Sequence, residues 1–304
     1  MPPIDDTLGP QVPGENAFQS RMRRHQSWWR SERLGVPWGT GPTEGSDREV
    51  GSMLRTPDAD AGLNFLTGEI HAVATDRMAR GDGVEPFRCT HNLLSSQPMC
   101  FNLFGPFDRD HELALAMLRP LLPVAATSIT EVRIEYAPTP REQYLGDRTA
   151  FDAFIGFLDG DHQPAFIGIE TKLTEPFTDC RYDKPRYRSL TEAEGSPWSG
   201  SPPELADPRW NQLWRDQLLV EAVRRHPQNP HGRRGWLALV HHPGDPAIGG
   251  AVADYRRFLR DGSSLLEWPL DLLIDTFLGA ATTPQHTAWL NDFGDRYLNL
   301  HLSE

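Results

Sequence analysis

The sequence predicts an α/β fold built around a mixed central sheet, and three observations lead there. Segments with helical apolar spacing occupy much of 17–122; strand-like segments cover 129–172; beyond them, 210–226 is helical, 235–242 a buried strand and the end helical again. Helices, an antiparallel meander, then helix, strand and helix describe a sheet flanked by helices.

The elements follow in chain order. Residues 1–16, rich in Pro, Gly and acids, read as a flexible tail ahead of a single domain, 17–304, with a helical extension (17–90) and a core (91–304). Residues 17–33 form a helix containing RMRRHQSWWRSER, where five arginines surround Trp28 and Trp29. Such a stretch can grip a phosphate backbone, but the favoured reading is an amphipathic helix that docks its tryptophans inward. In 61–80, Leu63, Leu66, Ile70 and Val73 share a helical face, and the Gly81-Asp82-Gly83 run stops it. Residues 91–104 read as a helix, or as one broken at Pro98, and Asp108 should cap the helix over 108–122. In 129–138, Val132 and Ile134 point inward while Glu131, Arg133 and Glu135 take the other face of a strand. A hairpin over 150–172 follows, then a long Pro- and Ser-rich loop, 175–208.

Composition narrows the function. With 38% hydrophobic and 24% charged residues the chain is an ordinary globular protein, and no apolar run approaches the ~20 residues of a membrane span. No leader pattern opens it, so a cytoplasmic location is expected, and Cys89, Cys100 and Cys180 read as plain thiols without zinc or disulfide spacing. The net charge of −12 disfavours nonspecific phosphate binding unless positive charge is concentrated locally. Phosphate-loop, dinucleotide and nucleophile-elbow motifs are absent. His241 and His242 read as strand-end residues, and His162 as an exposed turn residue.

The hairpin AFDAFIGFLDGDHQPAFIGIETK carries the chemistry. A turn centred on Asp161 sets Asp152 opposite Glu170, and alternation points Lys172 the same way. Opposed carboxylates ~5 Å apart repel unless a cation joins them. A divalent ion fits, held by Asp152, Glu170 and a backbone carbonyl, most naturally that of Thr171. Lys172 can then orient a metal-bound water or offset developing charge, while Gly156 and Gly168 leave open floor for a substrate.

Asp152, an apolar strand and Glu170-Thr171-Lys172 resemble the D…(D/E)-x-K signature of the PD-(D/E)XK nuclease superfamily. The stretches NLLSSQPMCFNLFGP (92–106) and GLNFLTGEI (62–70) are further similar to a bacterial family of restriction endonucleases within it, over residues 50–250. Phe151 stands where the superfamily has proline before the aspartate. The resemblance implies a restriction-endonuclease-like core and a Mg²⁺-dependent phosphodiesterase, with Mn²⁺ able to substitute, acting on DNA in restriction, phage defence or repair. It also implies an auxiliary polar residue on a helix before the sheet, for which Gln97 is preferred over Glu112 and Glu135. On the helix after the lysine, Gln217 is preferred over Arg215, since the two cannot share a face. A homodimer or a separate specificity subunit is left open. The competing expectations are a non-cleaving binding protein on the same scaffold, a two-carboxylate glycoside hydrolase, and a merely structural ion pair between Lys172 and one acid.

Overall fold

The computed structural model describes residues 4–81, 83–179 and 181–304, which divide into two compact units. Cys180, and Asp82 of the expected helix stop, lie outside the described residues.

The first unit comprises Met1–Pro106, Leu173–Glu175 and Leu270–Glu304. Where a loose tail is expected, Ile4–Leu8 is helical, Leu8 is buried and the Thr7 carbonyl accepts from Arg30 at 2.6 Å. The helix Ala17–Trp28 opens on a reciprocal capping box between Asn16 and Gln19. The arginines of this helix and of the π-helical turn Trp29–Leu34 that continues it are all engaged within the unit: Arg23 on Glu15, Arg24 on the Ser303 carbonyl, Arg30 on the Gly51 carbonyl, Arg21 on Glu304 and Arg33 on Asp295. Trp29 is buried as well, so the inward-docking reading of this basic stretch is the observed one. The helix Ser96–Phe104 is unbroken. Pro98 falls in its first turn, where no intrahelical partner awaits a backbone N–H, and Glu175 Oε1 accepts the Ser96 N–H at 2.8 Å.

The second unit, Phe107–Lys172 with Pro176–Pro269, holds the predicted mixed sheet. Its strands are β1 (Ala126–Tyr136), β2 (Phe151–Asp159), β3 (Pro164–Lys172), β4 (Arg234–His241) and β5 (Leu265–Pro269), adjacent in that order. The first three form an antiparallel meander; β3, β4 and β5 run parallel. The helix His111–Leu118 packs on β1, and Asn211–Arg225 packs on β4 and β3. Asp110, rather than Asp108, caps the former by accepting the Leu113 N–H at 2.8 Å.

The 175–208 segment is more than a connector. It contains the helices Pro185–Thr191 and Pro202–Leu205 and inserts Tyr187 and Trp198 into the core around Trp214. The Trp198 indole donates to the Tyr255 hydroxyl at 2.8 Å, and that of Trp214 to Thr191 Oγ1 at 3.0 Å. These bonds satisfy the polar tips of rings that are otherwise apolar ballast.

The hairpin glycines serve packing. A Cβ on Gly168 would lie 2.3 Å from the buried Phe151 ring, and one on Gly156 would lie 3.0 Å from Thr130 Oγ1. The expected substrate floor is therefore occupied by neighbouring side chains, and Phe151 uses the space that the missing Cβ of Gly168 leaves.

Candidate active site

The β2–β3 ladder pairs Ala153 with Ile169 and Leu158 with Pro164, the register the sequence predicts. It stops one residue short of Asp152. Instead of standing as a simple cross-strand neighbour of Glu170, Asp152 folds its carboxylate onto the next residue. Thr171 donates to Asp152 Oδ2 through both its backbone N–H (2.7 Å) and its hydroxyl (2.8 Å). Thr171 thus positions Asp152, a contact the expected carbonyl role did not foresee. Two donors on one oxygen also fix the carboxylate's rotamer before any ligand arrives.

Glu170 and Lys172 lie at the carboxyl end of β3, beside the parallel strand β4, where open α/β sheets place their ligand crevices. Both are nearly enclosed, at 5% and 7% exposure, whereas Asp152 is half-buried. Lys172 Nζ sits 3.0 Å from Glu170 Oε1. Gln212, in the first turn of the helix Asn211–Arg225, completes the set: its Nε2 donates to Glu170 Oε1 at 2.6 Å, and its Oε1 accepts from Lys172 Nζ at 3.1 Å. Acid, amine and amide form a closed triangle. The side chain of Phe177 stands beside the ammonium, its ring centroid 5.3 Å away.

A third acid enters from the same helix. Asp216, one turn beyond Gln212 on the same face, is 3% exposed, and its Oδ2 has no hydrogen-bond partner among the described residues. Burial pushes its carboxyl up to about 7; Arg215 and Lys172 oppose the rise, while Asp152 and Asp147 add to it. Glu170 is likewise held well above the ordinary carboxyl range, by burial first and then by the charge of Asp152, with Lys172 pulling the other way and Asp216 reinforcing the rise. The site therefore holds more negative charge than its one lysine neutralises.

The helix turns Gln217 away from this cluster. Its Nε2 donates to Ser264 Oγ at 2.8 Å, and its Oε1 accepts from the Tyr255 hydroxyl at 2.6 Å. Gln217, the residue preferred from sequence, thus braces the core, and the amide against Glu170 and Lys172 is Gln212. Sequence reasoning missed Gln212 and Asp216. Their four-residue spacing is legible, but the phase of the helix against the sheet is not. Arg215 points into a neighbouring cleft. Gln97 belongs to the first unit, buried, where its Oε1 accepts the Glu85 N–H at 3.1 Å. Of its rivals, Glu112 is exposed at a helix start and Glu135 occupies a left-handed kink, φ 57°, near the end of β1. His162 caps the hairpin turn at φ 58°, and His241 contacts Glu267 at 3.1 Å.

Among the described residues no group of three or more His, Cys, Asp and Glu side chains is arranged to hold a metal ion. The donor chemistry nonetheless fits a hard divalent cation. Mg²⁺ takes only one or two carboxylates and keeps several waters, and here Asp152 and Glu170 offer two, with the unpartnered Asp216 oxygen leaving negative charge to be matched. No helix among the described residues is long and apolar enough to cross a membrane.

The family model of the PD-(D/E)XK nuclease superfamily matches residues 13–299 of the chain. No curated protein and no solved structure matches it. The five-stranded mixed sheet with flanking helices is the restriction-endonuclease-like architecture expected of that superfamily.

Proposed function

This chain belongs to the PD-(D/E)XK nuclease superfamily, and from that premise we propose that it hydrolyses DNA phosphodiester bonds with the help of a divalent metal, Mg²⁺ or in its place Mn²⁺. The observation that carries the reading is the cluster at the end of β3, where Glu170, Lys172 and Gln212 meet within 3.1 Å and two buried carboxyls are held above their ordinary range. Asp152 and Glu170 would hold the ion. When bound, it supplies an acidified water and charge compensation at the phosphoryl oxygens.

The chain's own residues divide the remaining work. Thr171 fixes Asp152 through two hydrogen bonds, so the carboxylate needs little reorganisation on binding. Lys172 stands beside Glu170, free of bulk water, where an ammonium stabilises charge far better than it does in solution. Gln212 holds Lys172 and Glu170 at their observed separation and keeps the ammonium aimed at the site.

A second reading, a scaffold that binds nucleic acid or a partner without cutting, draws on the same ion pair, since Glu170 and Lys172 satisfy each other in a closed arrangement. One assay separates the two. Linear, supercoiled and single-stranded DNA are incubated with the parent protein, Asp152→Ala and Lys172→Met in Mg²⁺, Mn²⁺ or EDTA. Cutting by the parent that needs metal and vanishes in both variants supports the nuclease. Absence of cutting on every substrate favours the binding scaffold, and cutting that survives both substitutions rejects this site.

A further inference from the structure

Beside the metal-site candidates lies a cleft of about 520 Å³, bordered by Asp147, Arg148, Thr149, Thr178, Tyr182 and Arg215. One of its lining residues is bonded to the cluster. Thr178 donates its N–H (3.0 Å) and its hydroxyl (3.1 Å) to Gln212 Oε1, the oxygen that also accepts from Lys172. One wall of the cleft is thus a single hydrogen bond from the catalytic candidates.

Arg215 stands one turn beyond Gln212 and opens toward this cleft. No carboxylate lies within ion-pair distance of it among the described residues; its guanidinium makes two long contacts, 3.4 Å each, to Thr149 Oγ1. It also lies against the Tyr182 ring, 4.9 Å from the centroid. The acid in the cleft is already matched: Asp147 accepts from the Tyr187 hydroxyl and the Thr149 N–H and faces Lys184 at 3.6 Å. Among the described residues, the half-buried Arg215 and the exposed Arg148 are the cations of the cleft without an ion pair, and Arg215 is the deeper of the two.

Tyr182 is 47% exposed, among the most exposed large aromatic or aliphatic side chains of the protein. Its backbone is nevertheless pinned by the fully buried Asn211, whose Nδ2 donates to the Tyr182 carbonyl at 2.9 Å and whose Oδ1 accepts the Tyr182 N–H at 3.3 Å. Two successive residues of one helix, Asn211 and Gln212, therefore fasten the loop that carries Thr178 and Tyr182. An exposed ring on an anchored backbone is a preformed platform, and ordering costs little when a ligand arrives.

We propose that this cleft receives one unpaired nucleotide of the DNA strand adjacent to the bond to be cut, with Arg215 on its phosphate and Tyr182 stacked on its base. The proposal rests on the nuclease reading and adds the form of its substrate. The volume lies within the range of small-molecule sites. A base inside a duplex has both faces covered by its neighbours, so a protein ring can stack on it only when the strand is single or the base is extruded. The preferred substrate is consequently a single strand, an overhang or a frayed end.

The test measures binding and cutting separately, on the full-length protein. Fluorescein-labelled single-stranded, blunt duplex and 3-nucleotide-overhang DNA of about the same length are titrated by anisotropy in EDTA, at two salt concentrations, with the parent, Tyr182→Ala, Tyr182→Trp, Arg215→Gln and Arg215→Lys. The parent should bind the single strand and the overhang about tenfold more tightly than the blunt duplex, corresponding to one stacked base. Tyr182→Ala should erase that preference and Tyr182→Trp keep it; Arg215→Gln should weaken binding of the single strand and the overhang with little effect on the blunt duplex, and Arg215→Lys should restore part of it. Equal binding of blunt and single-stranded DNA by the parent, or unchanged preference in Tyr182→Ala, overturns the proposal. Failure of the nuclease reading shows separately, as absent metal-dependent cutting of the same unlabelled DNAs.

Discussion

The two ends of the β2–β3 hairpin carry acids of opposite character. At the turn, Asp159 accepts the N–H groups of Asp161 and Gln163 on one oxygen and Arg234 on the other, and these bonds hold its carboxyl below the ordinary range. At the open end, Glu170 shares one lysine with its neighbours, Asp216 has an oxygen without a partner, and both carboxyls are raised. A carboxylate that closes a turn is surrounded by donors and stays charged. One at the open end is under-supplied with donors by the protein, and the core packed around it holds it in place.

The largest effect should come from Lys172→Met, which keeps the volume and removes the ammonium. Cutting is expected to fall by about a thousandfold in single-turnover assays, while circular dichroism stays native. Asp159→Ala is the counterpart: it should lower the melting temperature and leave the rate per folded molecule unchanged. A comparable loss of rate at the turn end would erase the distinction between the two acids.

The contrast extends to a buried base in the first unit. His25 bridges Ser303 Oγ and the Asp295 carbonyl at 3.0 and 2.8 Å, and burial lowers its pKa to about 4. The folded value lies below the ordinary 6.5, so the unfolded chain takes up the proton first. Stability is complete above about pH 6.5 and is lost as pH falls toward 4, by roughly 3 kcal/mol. Urea melts across that window should show the decline, and His25→Gln should flatten it.

Paired amide substitutions sharpen the assignment on the 211–225 helix. Gln217→Ala should cost about 1–2 kcal/mol of stability by leaving the buried Tyr255 O–H without its acceptor, with cleavage intact. Gln212→Ala should instead reduce cleavage about tenfold or more, read as kcat rather than KM, with a smaller shift in melting. The reverse pattern would exchange their roles. The smallest effect belongs to Asp216→Asn, which should raise stability by about 1 kcal/mol by removing a buried carboxyl whose charge burial disfavours. A lower melting temperature would mean that the carboxylate is satisfied in solution.

The hairpin was the most legible part of the molecule. Alternation and a Gly- and Asp-rich turn specify its register, and register brings Asp152, Glu170 and Lys172 to one end of it. The antiparallel meander was legible for the same reason, whereas the parallel pairing of β3, β4 and β5 was not. What escaped depends on contacts between distant segments. The capping of Asp152 by Thr171, the filling of the Gly168 floor by Phe151 and the commitment of the N-terminal arginines to carbonyls and acids leave no local pattern.

The sequence by itself determined the hairpin, its register and the acid–acid–lysine set, because periodicity and turn chemistry act within a few residues. The tertiary structure alone decided that Gln212 and Asp216 face the acids while Gln217 faces Tyr255. An amphipathic pattern defines which face of a helix is apolar, but nearly all of 211–225 is buried, so its rotation is set by the sheet and the 175–208 segment packed against it.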